Sequence, residues 1–196
     1  RTMPQTYTEH TITYPMRWEE EYTKDRTVAV WLSEFPEVFQ DPIGFSTRRG
    51  TLDLFPQHAL MYLLRKRSGI MSATWFSLAD TSKKSKNRNR TMAAWDHMRK
   101  FMGVVPFDAL RSALLASGFS SFAGEPDLFC WHPETRQWFF AEAKRKDKLI
   151  ASQLRWFDVC RTTLGDSGDI RVYTLIREAD AEPNNGLHAT SLPRRT

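Results

Sequence analysis

The apolar pattern changes period twice along the chain. The stretch RWEEEYTKDRTVAVWLSEF places Trp18, Tyr22, Val28, Trp31, Leu32 and Phe35 at helix-like intervals. Pro36, Pro42 and Gly44 interrupt it, and the segment up to Phe55 reads as a structured loop. PQHALMYLLRKRSG then predicts a helix, with Pro56 in its first turn, basic residues in its last and Gly69 as its stop. MSATWFSLAD predicts a short helix, and RTMAAWDHMRKFM resumes the helical period after a basic loop at 82–90. PFDALRSALLASG predicts another helix between Pro106 and Gly118. The period then shortens. Residues 126–131 and 137–143 are apolar and strand-like, and HPET supplies a turn, so they predict an antiparallel hairpin. KLIASQLRWFDVCRTTLG predicts an amphipathic helix ending at Gly165, and IRVYTLIR a further strand. Residues 1–17 read as irregular and 178–196 as a loose tail. The order predicts a mixed α/β fold: one domain over 18–177, with a helical part at 18–118 and a core with a small mixed sheet at 119–177.

Composition supports a packed domain. The chain has 196 residues, with 13 Phe and 7 Trp, enough for a sizeable core. No apolar run reaches the roughly 20 residues of a membrane span, and RTMPQTYTEHTITYP lacks the apolar centre of a signal peptide. The first residue, Arg1 rather than Met, fits a processed or trimmed chain. Cys130 and Cys160 have neither CxxC nor metal-ligand spacing and read as reduced core thiols. The formal net charge is +5, but it is concentrated. Residues 81–100 hold seven Lys or Arg against one acid, which leaves the rest close to neutral. Lys83, Lys84, Lys86, Arg88 and Arg90 are therefore candidate phosphate contacts, and the plain alternative is a solvated loop. LLRKRSG is a second basic candidate.

The hairpin carries charge where a buried strand should not. Asp127 opens its first strand, and Glu142 and Lys144 close its second. Residues two apart on a strand share a face, so Glu142 and Lys144 point the same way, and the hairpin brings Asp127 to them. Two close carboxylates repel unless a cation separates them, and hard divalent ions favour such oxygen ligands. The Ala143 carbonyl between the two side chains is a further candidate ligand. An ion held there would polarise a phosphoryl oxygen and activate water, and Lys144 would position that water or offset developing charge. The plain alternative is a Glu142–Lys144 ion pair decorating a strand end.

A resemblance favours the first reading. EPDLFCW followed by FFAEAKRKDKLIASQLRWF resembles the PD-(D/E)xK nucleases in their VRR-NUC form. Gly124, Pro126, Asp127, Leu128, Glu142, Lys144, Asp147, Leu149, Gln153 and Trp156 carry the match in order. Arg145 and Ile150 depart from it, where the family has a Gly and a helix-capping Ser. Further upstream, Trp31, Phe35, Pro36, Phe39, Leu52, Asp53 and Leu54 resemble a stretch of the Fanconi-anaemia-associated nucleases. The resemblance implies a restriction-endonuclease-like core that binds one or two Mg²⁺ or Mn²⁺ ions. It implies a structure-selective DNA endonuclease acting on branched DNA as a monomer, with 5′ flaps preferred and 5′-to-3′ trimming as an accessory activity. It also implies a further metal-binding acid early in the chain, for which Glu19, Glu20 and Glu21 are candidates. Glu19 is nearest in register and Glu21 better placed on the helix face; a helix N-terminus rich in acids is the plain alternative. Gln153 would contact phosphate or water beside the site, and Lys146 and Lys148 would track the cut strand. The implied location is cytoplasmic, with the nucleoid in a bacterial or phage setting, or nuclear in a eukaryote.

Two rivals remain from the sequence. One is a homodimeric Holliday-junction resolvase, disfavoured by the long helical segment before the hairpin. The other is a non-catalytic DNA-binding module, disfavoured by the intact Asp–Glu–Lys set. GDSG at 165–168 lacks partnered His and Asp residues, so a serine-protease reading is rejected, and the five scattered histidines give no zinc spacing.

Overall fold

The computed structural model describes residues 6–24, 26–39, 52–81, 88–120 and 123–178. Five strands make one mixed sheet: β1 (Thr8–Tyr14), β2 (Met71–Thr74), β3 (Leu128–Trp131), β4 (Trp138–Lys144) and β5 (Ile170–Arg177). Their spatial order is β1-β5-β4-β3-β2. β2, β3 and β4 pair antiparallel, whereas β4 with β5 and β5 with β1 pair parallel. The parallel β4–β5 step uses helix α7 (Ala151–Leu164) as its crossover, as parallel neighbours require.

Helices cover both faces. α1 (Arg17–Thr23), α2 (Arg26–Glu34), α3 (Pro36–Phe39) and α4 (Phe55–Ser68) pack around Trp31, Phe55 and Leu60, against Cys130, Phe139 and Ala141 of the sheet. On the opposite face, α5 (Arg88–Met102), α6 (Val104–Ala116) and α7 enclose a second core with Phe129, Phe140 and Trp156. Alternate residues of β3 and β4 thus serve different cores, which explains why both strands are apolar throughout. No helix among the described residues is long and apolar enough to cross a membrane.

The hairpin, α4, α6, α7 and β5 lie where the apolar pattern puts them. Gly69 terminates α4 in the left-handed conformation, its N–H returning to the Arg65 carbonyl. Cys130 and Cys160 are buried free thiols. Four expectations are corrected. Residues 8–14 are a strand and not irregular, so the fold begins before residue 18. Only Ile12 and Tyr14 of β1 are buried, and this half-exposed edge strand leaves a weak apolar signal. MSATWFSLAD starts as strand β2, because Met71–Thr74 find partners in Trp131–Leu128. The helix expected over 18–35 is two helices, α1 closing at Lys24. The expected loop 36–55 begins as the short helix α3, and 40–51 lie outside the described residues, as do 179–196 of the expected tail.

Gly124 fixes how the segment entering β3 meets α7. Its φ is +78°, and a Cβ there would lie 2.5 Å from the Ser152 carbonyl oxygen. Both features exclude a side chain. Gly124→Ala is expected to lower stability by at least about 1–3 kcal/mol, measured as a shift in the urea midpoint at unchanged slope.

Candidate active site

The register of the hairpin builds the site. Leu128 pairs with Ala141, so Asp127 arrives opposite Glu142. The Ala143 N–H donates to Asp127 Oδ2 at 2.9 Å, and Thr74 Oγ1 donates to the Asp127 carbonyl oxygen at 3.1 Å. Strand β2 thereby steadies the backbone that presents the carboxylate. Glu142 and Lys144 share the face of Phe140, looking toward α7. Lys144 Nζ lies 2.9 Å from Glu142 Oε1 and 2.9 Å from Asp147 Oδ2.

Helix α7 completes the cluster. Trp156 is fully buried and meets Phe140 edge to face at 5.0 Å between ring centres. One turn earlier, Gln153 Nε2 donates to Glu142 Oε1 at 2.5 Å, and its Oε1 accepts the Ile150 N–H at 3.1 Å. Gln153 therefore closes the start of the helix from its third position, which accommodates Ile150 where a capping side chain is missing. The same side chain is oriented by this bond toward the carboxylate.

The electrostatics favour a cation between the acids. Glu142 is 2% exposed, and its Oε2 is buried without a hydrogen-bond partner. Burial raises the Glu142 carboxyl above its ordinary value, against the pull of Lys144, then Gln153 and least the Asp127 N–H. Asp127 is pushed up to about 8, by burial first and the Glu142 charge second. Burial alone would lower the Lys144 ammonium, but Glu142 and then Asp147 outweigh it and hold it above the usual lysine value. One ammonium serves three carboxylates, and the inner two remain undercompensated.

The early acids separate. Glu19 Oε1 accepts from the Tyr14 hydroxyl and lies 3.3 Å from Arg145 Nη1. With Lys146 and Arg177 these residues line a hollow of about 110 Å³ beside the end of β4. Glu20 pairs with Lys24 at 2.5 Å on the exposed side of α1. Glu21 lines a different groove, with Arg17, Trp18 and Lys66. Among the described residues no three His, Cys, Asp or Glu side chains converge as metal ligands. Asp127 and Glu142 meet, and the Ala143 carbonyl is the backbone group between them and Lys144.

The basic candidates divide likewise. Lys146 and Lys148 are exposed beside the cluster. Lys83, Lys84 and Lys86 lie outside the described residues, and Arg88 and Arg90 are in the first turn of α5. In LLRKRSG, Arg65 and Lys66 pair with Glu37 and Glu34 at 2.9 and 2.7 Å, and Arg67 donates to the Thr13 carbonyl. These three brace α4 against its neighbours.

Sequence reasoning missed Glu125 and Arg145. Glu125 is 9% exposed, and its Oε1 accepts the Leu78 and Ala79 N–H groups at 2.7 and 3.3 Å. Its carboxyl is pushed up to about 8, mainly by burial. A Glu between Gly124 and Pro126 reads as a loop acid, and nothing local signals its burial. Arg145 was read only as a departure from a glycine.

No family model matches the chain, and no curated protein matches it. Among solved structures it is similar to the crystal structure of paFAN1 bound to 2nt 5′flap DNA with gap, at 16% identity and a TM-score of 0.39. The likeness covers 86% of this chain and 26% of that one, so this chain spans about a quarter of its length.

A carboxyl whose folded pKa lies above its unfolded value retains a proton on folding, so stability falls as pH rises between the two values. In EDTA, Asp127→Asn is expected to be more stable than wild type by roughly 1–3 kcal/mol at pH 8, with the gap shrinking toward pH 4. The Asn Oδ1 still accepts the Ala143 N–H. Millimolar Mn²⁺ is expected to raise the melting temperature of wild type and leave Asp127→Asn unmoved. Paired thermal scans at several pH values check both.

Proposed function

We infer that the protein is a metal-dependent deoxyribonuclease that hydrolyses phosphodiesters, with branched DNA carrying a 5′ flap as its preferred substrate. The observation that carries this reading is the buried, unpartnered Glu142 Oε2, with Asp127 opposite it and Lys144 on the same face. A buried carboxylate oxygen without a protein partner calls for a water or an ion to meet it, and the second carboxylate beside it favours the ion. The residue set fits a divalent ion: two carboxylates, a backbone carbonyl at Ala143, and room in the usual Mg²⁺ shell for water and substrate oxygens. Such an ion, Mg²⁺ or Mn²⁺, supplies Lewis acidity toward the phosphoryl oxygen and lowers the pKa of attacking water.

The chain's own groups do the remainder. Lys144 is held protonated between Glu142 and Asp147, so it is a donor aimed at the attacking water or at charge developing on the phosphate. Gln153 holds Glu142 in one rotamer. Lys146 and Lys148 are exposed on the same turn and suit backbone phosphates on either side of the cut. Glu19 is the best early candidate for a further ligand, because it alone of the three touches Arg145, the residue after Lys144. Arg145 would have to release it. The basic segment 83–90 would add contacts that hold DNA without reading its sequence.

Cleavage of 5′-labelled flap, single-stranded and plain duplex DNA with Mg²⁺ or Mn²⁺ tests the reading. Wild type is expected to cut the flap fastest. Asp127→Ala and Lys144→Ala are expected to lose on the order of 10²–10³-fold in rate, with Gln153→Ala intermediate. Variants that cut as fast as wild type would overturn the assignment of Asp127 and Lys144, and a wild type that binds flap DNA without cutting it would leave only a binding module.

A further inference from the structure

Asp127 also borders a cleft of about 180 Å³ whose lining includes neither Glu142 nor Lys144. Leu54, Gln57, Trp75, Phe76, Glu125 and Pro126 line it, and Asp127 is part of its wall. The exposed wall is mainly apolar and aromatic, with Gln57, Thr74, Glu125 and Asp127 as its polar side chains, which is the usual make-up of a small-ligand site. Gln57 and Glu125 are each more than nine-tenths buried, and each keeps one buried polar atom without a hydrogen-bond partner: Gln57 Nε2 and Glu125 Oε2. Two such orphans on separate elements, α4 and the loop before β3, point to a ligand that joins them. Trp75 is a third anomaly. Its φ is +59°, a conformation that a bulky residue rarely adopts and that places its ring on the cleft.

We propose that this cleft receives one unstacked nucleobase from the nucleotide next to the scissile phosphate. This rests on the nuclease reading above. A phosphate at Asp127 and Glu142 leaves the adjoining nucleoside one backbone step away, and the cleft shares Asp127 with that site. The volume suits a single base ring system better than a larger ligand. Trp75 and Phe76 offer the sequence-tolerant aromatic surface that single-stranded DNA uses. Gln57 and Glu125 would meet the polar edge of the base, which an unpaired nucleotide exposes and a duplex hides. The cleft would thus make the enzyme prefer a strand that is free to unstack, the property that distinguishes a flap or junction from plain duplex.

The cut is first mapped on wild type with flap DNA and Mg²⁺. Single abasic sites are then placed at each nucleotide around it. One position beside the cut is expected to raise KM on the order of tenfold, and the others to leave it near the intact value. Gln57→Leu, which removes the orphaned amide at similar volume, is expected to keep or raise the melting temperature while raising KM on intact DNA by a similar factor. Trp75→Gly, which tolerates the backbone conformation, is expected to do the same to KM. On the sensitive abasic substrate, Gln57→Leu should cost nothing further, a non-additivity that a merely structural role would not produce. A flat abasic profile with normal cleavage overturns the pocket alone, as does an equal Gln57→Leu penalty on intact and abasic DNA. A wild type that cuts no DNA in Mg²⁺ or Mn²⁺ overturns the nuclease reading and the pocket with it.

Discussion

The antiparallel register of β3 and β4 is the constraint on which everything else in this protein depends. Leu128 faces Ala141, and Asp127 therefore enters opposite Glu142. A slip of one residue would turn Phe129 and Phe140 into the wrong core and send Glu142 and Lys144 to the other face. The two aromatic cores make that slip prohibitive, so hydrophobic packing is what holds two acids together against their repulsion. The site is thereby preorganised by apolar groups that take no part in its chemistry. Trp156 illustrates the coupling: it anchors α7 on Phe140, and the same helix turn delivers Gln153 to Glu142.

Two like charges in a poorly solvated pocket store unfavourable energy until something positive joins them. Lys144 compensates part of this, shared among Glu142, Asp147 and the field at Asp127. The residual imbalance is what a divalent ion would remove, and it is the physical link between the fold and the proposed reaction. Sites of this kind commonly trade stability for function. The cleft behind Asp127 repeats the theme, with Gln57 and Glu125 each carrying an unmatched polar atom.

What the sequence made legible follows from how local each signal is. The hairpin carries two apolar runs, a turn and misplaced charges within about twenty residues, and α4 has its own start and stop chemistry; both are readable without partners. Strand β2 has four residues and depends on β3 for its state, so its local pattern misleads. Strand β1 buries only its end against the core and depends on β5, far away in sequence. In the candidate site, strand period and the hairpin predict that Asp127, Glu142 and Lys144 meet, whereas Gln153 entered only through the family resemblance; the structure brings the four side chains together. The burial of Glu125 was not, because it arises from the approach of residues 78 and 79 across the fold. The choice among Glu19, Glu20 and Glu21 likewise needed the neighbours Tyr14, Arg145 and Lys24 to separate them.

The proposed function stands on Asp127 and Glu142 holding a divalent ion, with Glu142 Oε2 as one of its ligands. Anomalous diffraction from crystals soaked in Mn²⁺ addresses it directly. A manganese peak bonded to both carboxylates is expected, with Lys144 still seated beside Glu142. Crystals that show no peak there, with both carboxylates unchanged in saturating Mn²⁺, would contradict it.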